Sequence, residues 1–66
     1  MRIDRVKLAM ELKRRDMKYK QLAAQAGISL PTVTAVSGGK SVHPDTANKI
    51  AAALDMPLRS LLERPS

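Results

Sequence analysis

The feature that most constrains this fold is a short chain with no means of covalent or metal crosslinking. The 66 residues contain no cysteine, and His43 is the sole histidine, so neither a disulfide framework nor a Cys-His zinc site can form. A chain of this length buries only about 60% of its unfolded surface, which leaves a thin margin of stability. We therefore expect one domain, residues 1–66, stabilised by closely packed helices, a partner subunit or both.

Residue types and their spacing favour an all-α fold. Tyr19 is the one aromatic residue and no alternating Val/Ile/Thr segment appears, so no β-strand is predicted. Five helices are predicted, at about 4–15, 19–26, 29–36 or 37, 44–54 and 58–63, with a frayed end at 64–66. No stretch approaches the ~20 apolar residues of a membrane span, and no apolar run follows the first residues. We expect an intracellular protein, cytoplasmic and associated with the nucleoid.

The distribution of charge indicates a polyanionic partner. Twelve Lys and Arg stand against six Asp and Glu, which gives a net charge of +6. Many of the cations fall within residues 1–20, whereas residues 21–39 carry no charge at all. A neutral segment edged by Lys18, Lys20 and Lys40 suits a surface that presses against another molecule. The scarcity of aromatic residues disfavours modules for single-stranded nucleic acid, which stack bases on several rings.

The strongest motif is a pair of short helices joined at Gly27. The apolar residues around this turn have the spacing of two helices that cross steeply and share one seam; they are Leu22, Ala23, Ala26, Ile28, Val33 and Val36. Ala23 falls at the crossing, Gly27 at a turn that needs a positive φ, and Ser29 at a helix N-cap. The spacing is that of a helix-turn-helix over about residues 19–37, and an Ala-rich helical hairpin shares part of it.

The same segment resembles the helix-turn-helix of lambdoid phage repressors and Cro proteins, the XRE-type family. The resemblance rests on Gln21-Leu22-Ala23, Ala26-Gly27-Ile28-Ser29, Thr32-Val33, Val36 and Gly39-Lys40. It continues through Pro44-Asp45-Thr46-Ala47, Lys49-Ile50-Ala51, Leu54-Asp55-Met56 and Leu61-Leu62, which resemble the fourth and fifth helices of that family. It implies a compact, lambda repressor-like domain of five helices that binds duplex DNA as a two-fold dimer, in bacteria or their phages and mobile elements.

The resemblance also implies which residues meet DNA. The positions that match the family's base-contacting residues are Ser29, Leu30, Pro31, Thr32, Thr34 and Ala35. None of them is an Arg, Lys, Asn or Gln, so direct discrimination between bases should be modest and DNA shape should contribute. Phosphates are expected to meet two clusters, Lys18, Tyr19 and Gln21 in one and Lys40, Ser41 and His43 in the other. Alternatively, Leu30 and Pro31 form a patch that contacts protein.

Two departures from the family pattern bear on stability. Leu12 and Ser37 occupy the positions at which many members pair an Arg with a Glu, and since both partners are missing no orphan charge is buried. Lys18 stands where the family prefers a Ser or Thr N-cap, which is unfavourable unless a phosphate lies there. His43 is expected to cap the fourth helix or to touch a phosphate, and not to bind a metal.

These observations predict a sequence-specific transcriptional regulator, a repressor, that inserts helix 29–36 into the major groove of duplex DNA. It is expected to need no cofactor and to be no enzyme, because so small a helical chain offers no sizeable concave pocket. A homodimer is expected to form through Leu58, Leu61 and Leu62, of which the core absorbs about two. One alternative is a protein-interaction module, such as an antitoxin with secondary DNA binding. The lack of Arg and Gln side chains at the base-contacting positions favours this alternative. Another is a membrane-surface peptide that uses the basic first helix.

Overall fold

The computed structural model describes residues 1–63, which form four α-helices and one 3-10 turn. The helices are α1 over Arg5–Arg14, α2 over Tyr19–Ala26, α3 over Leu30–Ser37 and α4 over Pro44–Ala53, and the 3-10 turn covers Leu58–Ser60. The predicted frayed end at 64–66 lies outside the described residues. No helix within residues 1–63 combines the length and apolar character needed to cross a lipid bilayer.

The helices begin where capping side chains stand. Asp4 accepts hydrogen bonds from the amides of Val6 and Lys7, at 3.0 and 3.1 Å, and so begins α1. The Ser29 hydroxyl accepts from the Thr32 amide at 3.3 Å, and the predicted N-cap of α3 is confirmed. His43 Nδ1 accepts from the Asp45 amide at 3.3 Å and caps α4. Local chemistry therefore sets these boundaries.

Two Asp-Met pairs end α1 and α4 in the same way. Asp16 and Asp55 adopt left-handed backbone conformations, with φ of 52° and 53°. The amide of Met17 then bonds back to Leu12 O at 2.9 Å, and that of Met56 bonds back to Ala51 O at 3.1 Å. The side chain of each methionine is half-buried and packs against the core. A short polar residue tolerates the left-handed conformation, which explains why Asp serves here in place of Gly.

One apolar core lies between the helices. α2 packs against α3 and α4, while α1 packs against α3. The buried residues are Ile3, Leu8, Leu12, Leu22, Ala23, Ala26, Val33, Val36, Val42, Ala47, Ile50, Ala51, Leu54 and Leu61. Of the six residues predicted to form the seam, five are buried and Ile28 is half-buried against them. The packing of α2 on α3 thus confirms the predicted seam.

The predicted fifth α-helix over 58–63 is wrong, and so is the count of five helices. The Leu61 amide bonds to Leu58 O at 2.8 Å, which closes a single 3-10 turn after Pro57. The chain then turns to pair with the N-terminal segment: Ile3 and Leu62 form an isolated antiparallel bridge, and the Asp4 amide donates to Leu61 O at 2.7 Å. The backbone groups that form this pairing are not available to extend a helix to residue 63. No strand forms within residues 1–63.

The leucines predicted to form a dimer interface are partly used inside the chain. Leu61 is fully buried in the core, so it cannot lie on an exposed interface, and this part of the prediction is corrected. Leu58 and Leu62 are half-buried, and Leu58 packs against the core. They are the two of the three that keep some exposed apolar surface.

A buried carboxylate on α1 holds the arginine that links α1 to the end of α4. Glu11 has a side-chain exposure of 6% and is paired with Lys7 and Arg14, each at 3.4 Å, and with Arg15. Arg15 Nη2 also donates to Leu54 O at 2.7 Å, at the end of α4. Glu11 does not stand out in the sequence, because a carboxylate with cations at i+3 and i+4 is equally typical of a solvent-exposed helix face.

This cluster predicts an acid-sensitive stability. The Arg15 guanidinium, hydrogen-bonded to the Glu11 carboxylate, lowers the pKa of Glu11. Desolvation of the carboxylate opposes this shift, whereas Lys7 and Arg14 lower the pKa of Glu11 further. A carboxyl whose pKa is lower in the folded than in the unfolded state stabilises the fold at pH values above its unfolded-state pKa, about 4.3. This stabilisation is lost as the pH falls through the folded-state pKa. We expect Glu11→Gln to reduce stability at neutral pH and to remove part of the acid-induced loss. Thermal melts from neutral to strongly acidic pH check this.

The matched control for that experiment is Glu63→Gln, which neutralises an exposed carboxylate. It should leave both the neutral-pH melting temperature and its acid dependence close to those of the unmodified chain. If Glu11→Gln shows the same acid dependence as Glu63→Gln, the stabilising role of the Glu11 cluster is wrong.

Candidate nucleic-acid interface

The turn between α2 and α3 has the geometry that the helix-turn-helix requires. Gly27 adopts φ of 70° and ψ of 35°, the left-handed conformation predicted for it. The Ile28 amide bonds back to Ala23 O at 3.0 Å, which closes the turn. Ala23 itself is buried, at 7% exposure, in the core to which α2 and α3 both contribute. α3 is therefore held in a fixed position on α2 and buries Val33 and Val36 while its opposite face points outward.

The outward face of α3 is mostly apolar. Leu30, Pro31 and Thr34 are exposed, and Ala35 is half-buried beside them. This face borders an open groove of about 480 Å³; its lining is Leu30, Pro31, Thr34, Ala35, Gly38 and Lys40. Four of the six predicted base-contacting residues thus lie together along one side of α3.

The hydroxyl groups on α3 are already engaged in local hydrogen bonds. Thr34 Oγ1 donates to Leu30 O at 3.1 Å, and the hydroxyls of Ser29 and Thr32 bond to each other at 2.7 Å. Because the Thr34 proton is used, its oxygen is left to accept a hydrogen bond, such as one from the amino group of adenine or cytosine. Leu30, Pro31 and Ala35 offer apolar contacts that suit a thymine methyl group.

The first predicted phosphate-contact cluster surrounds the start of α2. Lys18, Tyr19 and Gln21 are all exposed there. Gln21 Oε1 accepts from the Lys18 amide at 2.7 Å, whereas the Lys18 side chain has no acceptor atom with which to cap the helix. The first amides of α2 consequently receive no side-chain cap. Amides at a helix N-terminus beside a cation form a favourable environment for a phosphate.

The second predicted cluster lies in the loop between α3 and α4. Lys40, Ser41 and His43 are exposed, and buried Val42 anchors the loop between them. The Val42 amide donates to Met1 O at 2.7 Å, and the Met1 amino group donates to Val42 O at 3.3 Å. Because His43 Nδ1 accepts the capping bond, the neutral ring carries its proton on Nε2, which is a donor for a phosphate.

Arg5 is a cation at this second cluster that the sequence analysis missed. It is exposed, and its side chain passes so close to Gly39 that a methyl group on Gly39 would lie 3.7 Å from Arg5 Cδ. Arg5 thereby brings a cationic side chain to Gly39, the residue before Lys40. No local signal in the sequence indicates this, because Arg5 is brought to Gly39 by the packing of α1 against α3.

A larger groove contradicts the expectation that the chain has no sizeable concave surface. This feature, which we call the α1–α3 groove, is open to solvent and has a volume of about 670 Å³. Its lining is Ala9, Leu12, Lys13, Asp16, Met17, Lys18, Tyr19, Lys20, Leu30 and Thr34. The groove lies where the end of α1 and the first turns of α2 and α3 meet. Neither groove is lined by Ser29 or His43.

The comparison with family models decides the family. A model described as the Cro/C1-type HTH DNA-binding domain matches residues 7–66. The chain belongs to this family. The predicted resemblance to the Cro and phage repressor proteins is thereby confirmed, over nearly the whole chain. The comparison with curated proteins found no match for this chain.

Solved structures with the same fold belong to much longer chains. A mutant of hydroxyethylphosphonate dioxygenase superposes on the Cro/C1-type domain with a TM-score of 0.86 and 30% sequence identity. Native PhpD with cadmium atoms and PhpD with cadmium and hydroethylphosphonate have TM-scores of 0.85 and 0.84, each at 29% identity. Each comparison covers 100% of this chain and 14% of the other, so the Cro/C1-type domain spans about one seventh of those proteins.

Proposed function

We propose that this Cro/C1-type domain is a transcriptional regulator, without enzymatic activity, that binds duplex DNA through α3 in the major groove. The observation that carries the proposal is the arrangement around α3. Its outward face is free of charge and stands between two clusters of exposed cations, Lys18 with Lys20 and Lys40 with Arg5. Cations at both ends suit the phosphates that flank a groove, while the neutral face suits the base edges.

We propose further that the regulator is a sequence-specific repressor that acts as a homodimer in the bacterial cytoplasm. A single module buries about 600–1,000 Å² of protein surface on DNA. In addition, few side chains on α3 can make hydrogen bonds to base edges. Two copies would double the contacts and fix half-sites about one helical turn apart. Leu58 and Leu62 keep exposed apolar surface that a two-fold contact would bury. A bound domain of this kind represses by occupying the site that another protein needs.

A change in the DNA sequence that the protein selects tests whether α3 enters the major groove. Thr34→Arg gives the exposed face of α3 a side chain that can bind guanine through two hydrogen bonds. We expect selection from a random duplex pool to yield a guanine at one position, or at one position in each half-site, that the unmodified chain does not select. Discrimination at that position should reach about 1–3 kcal/mol.

The matched control for this selection is Ala52→Arg, which adds the same charge on the exposed side of α4. It should change the affinity for duplex DNA little, because the outer side of α4 lies outside both cation clusters, and it should leave the selected sequence unchanged. If Thr34→Arg behaves in the same way as Ala52→Arg, α3 does not read the major groove.

A second candidate function is a protein-interaction module, of which an antitoxin is one example. The apolar face of α3, without an Arg, Lys, Asn or Gln reader, supports this candidate. The occurrence of the same fold as one seventh of a dioxygenase chain also supports it, since the fold there is one part of a larger protein. A gel shift on random duplexes over a salt series separates the two candidates. Steep salt dependence supports DNA binding, and partner capture without DNA binding supports the second.

A further inference from the structure

An apolar stripe on α1 continues into the α1–α3 groove. Val6 and Met10 are exposed by 63% and 61%, although they are large apolar side chains. Val6, Ala9, Met10 and Lys13 follow i, i+3, i+4 and i+7 spacing and so share one face of α1. Since Ala9 and Lys13 line the groove, the exposed stripe and the groove form one continuous surface.

The charge around this surface is strongly one-sided. Lys13, Lys18 and Lys20 stand at the groove, against the carboxylate of Asp16. The floor between them is apolar and includes Leu12, Met17 and Leu30. A second copy of the chain would bring like charges together here, which disfavours self-association through this surface. An occupant that fits must combine apolar anchors with negative charge.

We propose that the α1–α3 groove and its stripe bind an acidic amphipathic helix of a regulatory protein. The face of α1 from Val6 to Lys13 extends for about 10 Å, and the groove continues it, which matches two to three turns of a bound helix. Apolar residues at i, i+3, i+4 and i+7 of the partner would contact Val6, Met10 and Leu30. Its flanking carboxylates would pair with the three lysines, in the manner of a helix bound in a groove.

Such a helix would exclude DNA. Lys18, Tyr19, Leu30 and Thr34 line the groove and also belong to the predicted DNA contacts. An acidic helix bound there would occupy the cations that phosphates need and would cover the first turn of α3. The competition rests on the proposed DNA-binding function, whereas the binding of the helix does not.

The experiment uses a designed peptide as the probe. Its length is about three helical turns, with Leu at i, i+3, i+4 and i+7 and Glu on the flanks; a shuffled peptide of equal composition has no apolar face. We expect the first peptide to shift the NMR amide signals of α1 and of the first turns of α2 and α3, and duplex DNA to displace it. Val6→Ser combined with Met10→Ser should weaken peptide binding about tenfold, because two anchoring contacts are lost.

The controls separate this inference from the proposed function. The double variant should bind DNA as the unmodified chain does, because neither Val6 nor Met10 belongs to the DNA contacts, and Ala52→Ser should change neither affinity. Three outcomes overturn the inference: equal binding of the shuffled peptide, no shift at the groove at millimolar peptide, or shifts produced by anionic lipid vesicles and not by the peptide. Peptide binding in a chain that binds no duplex would support the inference and overturn the proposed function.

Discussion

Replacing Ala23 with Leu is expected to abolish cooperative thermal unfolding at physiological temperature. Ala23 is buried in the core on α2, which packs against α3, and its carbonyl closes the Gly27 turn. Extra methylenes in a packed core cost about 1–3 kcal/mol. A domain this small has a stability at or below the usual 5–15 kcal/mol, so the loss is a large share of the total. Circular dichroism melts measure it.

Ala24→Leu is the matched control, because it makes the same change one residue further along α2 at an exposed position. It should melt within a few degrees of the unmodified chain, since surface substitutions rarely exceed about 0.5 kcal/mol. If Ala23→Leu melts as Ala24→Leu does, the proposed packing of α3 on α2 is wrong.

Removing either Lys18 or Lys40 is expected to weaken binding to every duplex by a similar factor. Each is an exposed cation at one end of α3, at the start of α2 or in the loop before α4. A lysine that neutralises one phosphate contributes about one unit to the slope of log affinity against log salt. Lys18→Ala and Lys40→Ala should therefore each flatten that slope by about one. Fluorescence anisotropy over a salt series measures it.

Lys49→Ala provides the control for charge alone, because Lys49 is exposed on α4 outside both clusters. Its salt slope should stay close to that of the unmodified chain. Both cluster variants should fold normally, and Lys18→Ala should even stabilise the free protein, since it removes a cation from the positive end of α2. A change of sequence preference with an unchanged salt slope would contradict the assignment of phosphate contacts.

The parts of the fold that local chemistry determines could be predicted from the sequence. The left-handed turn at Gly27 and the N-cap at Ser29 depend on residues close in sequence, and both are predicted. For His43 the sequence predicts either the cap of α4 or a phosphate contact, and the structure shows the cap. The end of the chain could not be predicted in this way. Leu58, Leu61 and Leu62 have helical spacing, but the pairing of the last residues with Ile3 and Asp4 prevails over it.

The residues of the candidate site on α3 and its flanks follow from the resemblance to the Cro and phage repressor family, and their contacts with DNA stay a prediction. Arg5 joins the site through the packing of α1 beside Gly39, and the α1–α3 groove opens where three helices meet. Both features depend on the relative position of elements distant in sequence, which spacing and composition do not report.

NMR mapping of a duplex titration tests the central claim most directly. With duplex DNA added to labelled protein, we expect shifts in three segments: the first turn of α2, the first turn of α3 and the loop that contains Lys40 and His43. The signals of the 3-10 turn at Leu58–Ser60 and of the outer side of α4 should move far less. No shifts at low salt, or shifts confined to α4 and the 3-10 turn, would contradict α3 as the DNA-reading helix.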